Sequence, residues 1–145
     1  MTDWTEPVVA DVTFRTVVVD ACAAIEVLLR PTEKADRVSA VLDRCSLCAP
    51  VVFPFEVSNV IRRRLSARLL SPEAAELAWT GLDDLDVDLW QWATIARRVW
   101  RLKGSLSTYD ASYIALAEVL DCPLVTTDAK LAAMAPPTCR IELIP

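Results

Sequence analysis

The chain has 145 residues, of which 54% are hydrophobic, and a formal net charge of −5. This length and apolar content suit one folded domain and exclude an intrinsically disordered chain. The sequence contains no histidine, which excludes Ser-His-Asp and Cys-His nucleophiles, histidine-dependent nucleases and His-ligated zinc hydrolases. The remaining chemistry is that of carboxylates, whose oxygen atoms suit Mg²⁺ or Mn²⁺.

Residues 1–15 form a polar lead-in without the basic and then apolar order of a signal peptide. No apolar run approaches the ~20 residues that span a bilayer. We therefore expect a cytoplasmic protein that has no membrane partner. The five cysteines, an odd number in a chain without an export signal, are expected to be reduced. Cys45 and Cys48 have the spacing of only half a zinc knuckle, so we expect all five to pack as small buried hydrophobes rather than to bind zinc.

Strand and helix patterns alternate along the rest of the chain. Short apolar runs predict the strands, and apolar residues three and four apart predict the helices. In chain order we expect strand 16–19, helix 21–29, helix 32–42, strand 47–52, helix 53–70, helix 72–82, strand 86–89, helix 91–103, helix 108–120, strand 123–127, helix 128–134 and strand 139–144. This order predicts one α/β domain over residues 1–145, with three α/β/α layers and a mainly parallel central sheet of about five short strands.

Four acidic residues stand at the ends of these elements. Asp20 and Asp128 follow strands, where aspartate also commonly caps the next helix. Glu56 and Asp110 lie in the first turns of helices, and Asp110 shares an inward-facing stripe with Ile114. Because the crevice of a parallel sheet lies beyond the carboxyl ends of its strands, we expect the four to form one acidic pocket. Like charges held close together repel, so an ionised cluster requires a cation.

Basic and tryptophan residues offer candidate binding surfaces. Eight of the fifteen basic residues lie in two short helical stretches: Arg62, Arg63, Arg64 and Arg68, and Arg97, Arg98, Arg101 and Lys103. We predict that Arg62, Arg63, Arg97 and Arg101 contact phosphates of a nucleic acid, with solvated helix faces as the alternative. Four tryptophans are candidate partner anchors, although core packing is favoured for most of them: Trp79, Trp90, Trp92 and Trp100.

Three segments have an order and spacing typical of one family: Val18–Cys22, Glu56–Arg63, and Tyr109–Ala117 running on to Leu124–Asp128. Together they resemble the PIN domain and, within it, the VapC-like toxin ribonucleases of bacterial toxin–antitoxin pairs. The resemblance covers most of the chain. It implies a Mg²⁺- or Mn²⁺-dependent endoribonuclease in which a metal-activated water cleaves RNA. It also implies a cognate VapB-like antitoxin and a homodimer.

The resemblance assigns the acidic metal site to the four carboxylates named above, with Asn59 and Thr126 in support. Cys22 stands where such proteins usually have Ser or Thr, so a weak sulfur donor replaces a hydroxyl beside Asp20. Two other classes remain open: a receiver-like signalling domain that accepts a phosphoryl group on Asp20, and a haloacid-dehalogenase-like phosphatase, which needs an aspartate at the position of Cys22. A PIN-like nuclease outside toxin–antitoxin pairs is a further alternative.

Overall fold

Strands and helices follow one another in the predicted order. The computed structural model describes residues 13–29 and 31–145, so residues 1–12 of the predicted lead-in lie outside the described residues. In chain order, the elements are β1 (Arg15–Val19), α1 (Ala21–Leu28), α2 (Glu33–Leu42), β2 (Cys45–Pro50), α3 (Phe53–Ser66), α4 (Pro72–Asp84), β3 (Val87–Trp90), α5 (Trp92–Arg101), α6 (Thr108–Val119), β4 (Leu124–Thr126), α7 (Ala129–Met134) and β5 (Ile141–Leu143).

The strands form one sheet in the order β3-β2-β1-β4-β5, and every neighbouring pair is parallel. The chain moves from β1 through β2 to β3 and then returns to place β4 on the other side of β1. The direction of winding therefore reverses between β1 and β4. An open α/β sheet leaves a crevice at such a switch point, beyond the carboxyl ends of its strands. Asp20 directly follows β1, and Asp128 follows β4 by two residues.

Helices cover both faces of the sheet, which confirms the predicted three-layer α/β fold. Right-handed crossovers place α1–α4 on one face and α5–α7 on the other. The packing agrees, since α1 contacts α2, α3 and α4, whereas α5 packs on α6. The three valines of β1 and the run 111–117 of α6 are buried in the core between the layers. Within the part of the chain that the structure describes, no helix has the length and apolar character needed to cross a membrane.

Local chemistry explains where the helices begin and end. The Thr32 hydroxyl accepts a hydrogen bond from the Ala35 amide at 2.9 Å, and the Ser71 hydroxyl caps α4 in the same way. The predicted helix 53–70 ends at Ser66, because Arg68 adopts a positive φ of 58° that no α-helix continues through. Strand β2 lies two residues earlier than predicted, since its pairing with β1 begins at Cys45.

Core packing is the wrong prediction for three of the four tryptophans. Trp79, Trp92 and Trp100 are 49%, 53% and 69% exposed. Trp90 is the one that packs against the core. On α5 the buried positions are Ile95 and Val99, so Trp100 lies on the outer face, where the Lys103 ammonium lies 5.0 Å from the centre of its ring.

All five cysteines are free thiols, as predicted. Cys48, Cys122 and Cys139 are buried, which confirms the interpretation of these three as small hydrophobes. Cys22 and Cys45 are only partly buried. Burial in the core is therefore the wrong description of Cys22, whose thiol lies in the cleft described below.

Candidate active site

Asp20 occupies the N-cap position of α1, but its side chain makes no capping hydrogen bond to that helix. Its Oδ2 atom instead accepts hydrogen bonds from the Thr126 hydroxyl at 2.8 Å and from the Cys22 thiol at 3.0 Å. The side chain is 7% exposed. Burial raises the pKa of Asp20, and the charge of Asp110 raises it further, while the two hydrogen bonds oppose the change. The capping explanation therefore does not hold for Asp20.

Thr126 connects the two strand-end aspartates. Its fully buried hydroxyl donates to Asp20 and accepts a hydrogen bond from the Asp128 amide at 3.0 Å. The Cys22 sulfur lies 3.3 Å from the same hydroxyl. Burial, followed by the charge of Asp20, raises the pKa of Cys22 to about 11, so the thiol keeps its proton and acts as a donor. Carboxylate, hydroxyl and thiol thus form one network at the switch point.

Asp128 is exposed and caps α7. Its Oδ1 atom accepts hydrogen bonds from the Lys130 and Leu131 amides at 2.9 and 3.2 Å. The structural explanation considered from the sequence therefore holds for this oxygen. Capping also fixes the orientation of the carboxylate at the mouth of the cleft, where Asp128 is part of the lining.

Asp110 lies in the first turn of α6, where its amide donates to the Ser107 hydroxyl at 3.1 Å. Its carboxylate is partly buried. Burial raises the pKa of Asp110, with a further increase from the charge of Asp128, against the hydrogen bond with Ser107 and the nearby ammonium of Lys130. The charges of Asp110 and Asp128 therefore act on each other across the cleft.

Glu56 lies in the first turn of α3 and contacts a buried tyrosine. The fully buried Tyr113 hydroxyl donates to Glu56 Oε2 at 3.3 Å. The other oxygen, Oε1, is buried and has no hydrogen-bond partner in the described part of the chain. Burial raises the pKa of Glu56 to about 7, and the charge of Asp20 raises it next, while the Tyr113 hydrogen bond opposes both. Near neutral pH this group divides between its protonated and ionised forms.

All four predicted carboxylates line one open cleft of about 780 Å³ at the carboxyl edge of the sheet. Asn59 also lines it, with its Oδ1 atom accepting two hydrogen bonds from the Arg62 guanidinium at 2.9 and 3.1 Å. Within residues 13–29 and 31–145, however, no three His, Cys, Asp or Glu side chains lie close enough together to hold a metal ion. The acids share a cleft, but they do not stand in a preassembled metal cage.

The profile of the PIN domain family matches residues 17–136, which include the whole cleft. The chain belongs to the PIN domain family. This assignment decides against the receiver-like and phosphatase-like alternatives. The PIN domain is 33% identical over 129 residues to ribonuclease VapC9 of Mycobacterium tuberculosis, covering 89% of this chain and 98% of the relative. It is 32% identical over 128 residues to ribonuclease VapC1 of the same organism, covering 88% and 96%.

Solved structures share the fold of this PIN domain at much lower identity. DNA-bound VapBC from Salmonella typhimurium superposes with a TM-score of 0.67 at 12% identity, covering 92% of this chain and 100% of the other. VapC20 of Mycobacterium tuberculosis, described as a sarcin-ricin loop cleaving toxin, gives a TM-score of 0.61 at 13% identity, covering 86% and 98%. At these identities the likeness extends to the fold alone.

The predicted basic residues of the PIN domain separate into two groups. Arg63 is exposed and lines the cleft with Arg64, whereas Arg97 and Arg101 are exposed on α5 and are not among the residues that line it. Arg98 forms an ion pair with Glu118 on α6 and is therefore engaged in packing rather than open to a ligand. The α3 stretch, rather than the α5 stretch, supplies positive charge beside the carboxylates.

Sequence reasoning missed three side chains of the site. Tyr113 is three residues after Asp110 and so lies on the same helix stripe, a spacing that is visible in the sequence. Its hydrogen bond to Glu56 is not predictable from that spacing, because Glu56 lies 57 residues away in the chain. Phe55 and Tyr109 line the cleft as exposed rings. Each directly precedes a predicted carboxylate, and no periodic pattern distinguishes an exposed aromatic residue there from a buried one.

Proposed function

We propose that this PIN domain is a Mg²⁺- or Mn²⁺-dependent endoribonuclease and the toxin of a VapBC-type pair. The observation that carries the proposal is the gathering of four carboxylates in one cleft of a chain that has no histidine. Relatives that the chain matches over nearly their whole length are named ribonucleases, which supports RNA as the substrate. The two arginines in the cleft wall also agree with a substrate that has a negatively charged phosphodiester backbone.

The donor atoms of the cleft fit a hard divalent cation. Glu56 Oε1 is buried and has no hydrogen-bond partner among the described residues. Repulsion between the acids contributes to the raised pKa values of Asp20 and Asp110. Both unfavourable features are relieved when a cation compensates the charge. Asp20 and Asp110 would hold it directly, Glu56 directly or through water, and Asp128 would complete the site. Because no three of these acids lie within joint ligand distance, direct binding by three or more of them requires side-chain rotation.

When bound, such a cation supplies Lewis-acid polarisation of a phosphoryl oxygen and lowers the pKa of a water. The chain's own residues prepare the cleft for it. Thr126 and Cys22 fix one oxygen of Asp20 and leave the other for a ligand. Tyr113 holds one oxygen of Glu56 in the same way. In the water-mediated arrangement, in which Oε1 is not a direct ligand, a pKa of about 7 suits Glu56 to accepting or giving a proton at Oε1 near neutral pH.

Arg63 and Arg64 extend the site along α3. Both are exposed and lie in the wall that carries Glu56. Guanidinium groups bind phosphate oxygens in a planar, bidentate manner. They offset the negative potential of the carboxylates and hold an RNA backbone beside them.

An antitoxin and a homodimer complete the proposal. Two solved relatives in fold are VapBC assemblies bound to DNA, from Salmonella typhimurium and Rickettsia felis, which supports a VapB-like partner for this chain. Leu77 on α4 and Leu69 in the turn before that helix are exposed apolar residues, and they provide surface for protein partners. Co-expression with a candidate VapB-like protein, followed by sedimentation of the complex and of the chain alone, tests both predictions.

The activity is tested by incubating total RNA with the purified protein in Mg²⁺, Mn²⁺ or EDTA. The variants are Asp20→Asn and Asp110→Asn, with Asp83→Asn as a matched control because Asp83 is exposed on α4, outside the cleft. We expect metal-dependent cleavage by the wild type and the control, and a loss of at least about 100-fold in the two cleft variants. Cleavage that is equal in EDTA, or equal in all variants, would contradict the proposal.

A further inference from the structure

Two aromatic rings stand open to water at the rim of the acidic cleft. Phe55 is 76% exposed and Tyr109 is 61% exposed, and both line the cleft that holds the four carboxylates. Burial of a phenyl ring is strongly favourable, so a fold gains nothing by exposing one. Packing in the core therefore does not explain why aromatic residues occupy these two positions, whereas binding of a ligand to the rings would explain it.

Their placement follows from the helices that carry the acids. Phe55 directly precedes Glu56 on α3, and Tyr109 directly precedes Asp110 on α6. Successive residues of an α-helix are rotated by about 100°. When the acid turns partly inward, the preceding ring is therefore left at the rim. Each ring is thus carried by the residue next in sequence to a candidate metal-binding carboxylate.

Helix α3 also presents a stripe of three chemically different side chains along the cleft wall. Phe55, Asn59 and Arg63 are spaced four residues apart, so they lie on one face of the helix, and all three are exposed and line the cleft. The stripe runs for about 12 Å. It offers in succession an aromatic face, an amide and a guanidinium group. Stacking platforms combined with positive charge are the elements by which proteins hold single-stranded nucleic acids.

We propose that Phe55 and Tyr109 form a base-stacking subsite for unpaired nucleotides of RNA next to the phosphate that is cut. This inference rests on the proposed ribonuclease function and assigns a base-binding role to the two rings at the rim of the cleft. A base in a duplex has both faces covered by its neighbours, so it has no face to offer these rings. An unpaired base stacks on either ring while its phosphates lie between Arg63 and the carboxylates.

The test measures affinity in an Asp110→Asn background with Mg²⁺, in which cleavage is suppressed. Three fluorescent probes are titrated: a short unstructured RNA, the same RNA annealed to its complement, and the same backbone with abasic residues. The substitutions are Phe55→Leu and Tyr109→Leu, which keep an apolar side chain and remove the aromatic face. Trp79→Leu is the matched control, because Trp79 is exposed on α4 but does not line the cleft.

We expect the unstructured RNA to bind more tightly than both other probes. Phe55→Leu and Tyr109→Leu should each weaken its binding by about 5- to 150-fold, the range that base–aromatic stacking supplies. The same substitutions should leave the affinity for the abasic probe unchanged, since that probe keeps the phosphates and lacks the bases. Trp79→Leu should change neither affinity.

Equal losses with the abasic and base-containing probes would overturn the stacking subsite. So would unchanged affinities in both ring variants, a result that would leave the rings as surface for a protein partner. If the wild type cleaves RNA with metal while either result holds, the proposed function stands and only this inference fails. If the wild type neither binds nor cleaves RNA, both fail together.

Discussion

Thr126→Val removes one hydroxyl from the centre of the site while keeping the shape of the side chain. In the wild type this hydroxyl donates to the buried Asp20 carboxylate at 2.8 Å and accepts from the Asp128 amide at 3.0 Å. Thr126 is fully buried, so water does not replace the donor at Asp20. A hydrogen bond to a charged group contributes about 1.5–3 kcal/mol, and an unsatisfied amide costs about 1–3 kcal/mol when buried.

The Asp128 amide is only partly buried and regains some hydration, so we expect the total loss to be about 2–4 kcal/mol. With a urea m-value of about 1–3 kcal/mol/M, the unfolding midpoint should fall by roughly 1–2 M. The assay is urea unfolding at neutral pH in EDTA, followed by far-UV circular dichroism. Thr16→Val is the matched control, because Thr16 is exposed on β1, and its effect should stay within about 0.5 kcal/mol.

A loss for Thr126→Val no larger than that of the control would refute the reasoning. It would mean that the Thr126 hydroxyl does not hold Asp20 in the folded protein. A changed m-value with an unchanged midpoint would not count as support, since it reports a change in compactness rather than in this hydrogen bond.

Three further predictions concern the site. Cys22→Ser should keep the donor to Asp20 and stay near wild-type stability, whereas Cys22→Ala should lose about 1–2 kcal/mol of unfolding free energy; equal effects in urea unfolding would contradict this role. The pKa of Glu56 is raised from 4.5 to about 7, so its contribution to stability is full below pH 4.5 and is lost as the pH rises to about 7. In EDTA, Glu56→Gln should therefore remove this loss and gain about 1–2 kcal/mol over the wild type near pH 8, a figure discounted for partial exposure; parallel stability curves against pH would count against it. Arg63→Gln should lower the salt slope of RNA binding by about 1, while Arg97→Gln leaves it nearly unchanged; the reverse order would move the RNA path to α5.

The architecture was predictable because local patterns and chain order determine it. Alternating short apolar runs and helical stripes specify the parallel sheet, and right-handed crossovers then leave few topologies. The predicted starts of α2 and α4 agree with the structure, where the Thr32 and Ser71 hydroxyls cap these helices. The position of β2 was missed by two residues because pairing with β1, rather than local apolar content, decides its limits.

The site was predictable in its members but not in its connections. Strand ends placed Asp20 and Asp128 at one edge, and first-turn positions added Glu56 and Asp110. Whether an aspartate caps a helix depends on competing partners: Asp128 caps, while the Thr126 hydroxyl, from a distant strand, takes the carboxylate of Asp20.

The exposure of the aromatic residues could not be predicted from the sequence either. Trp100 is exposed because its α5 neighbours Ile95 and Val99 fill the contact with the core. The position of the Phe55 and Tyr109 rings at the cleft is visible only in the folded structure.

The central claim is that the cleft carboxylates bind a divalent cation, and titration calorimetry with Mn²⁺ tests it most directly. The account predicts a binding isotherm for the wild type and for Asp83→Asn, and an affinity at least about tenfold weaker for Asp110→Asn, with all three proteins equally folded. Identical isotherms for Asp110→Asn and the wild type, or no heat with any of the three, would contradict it.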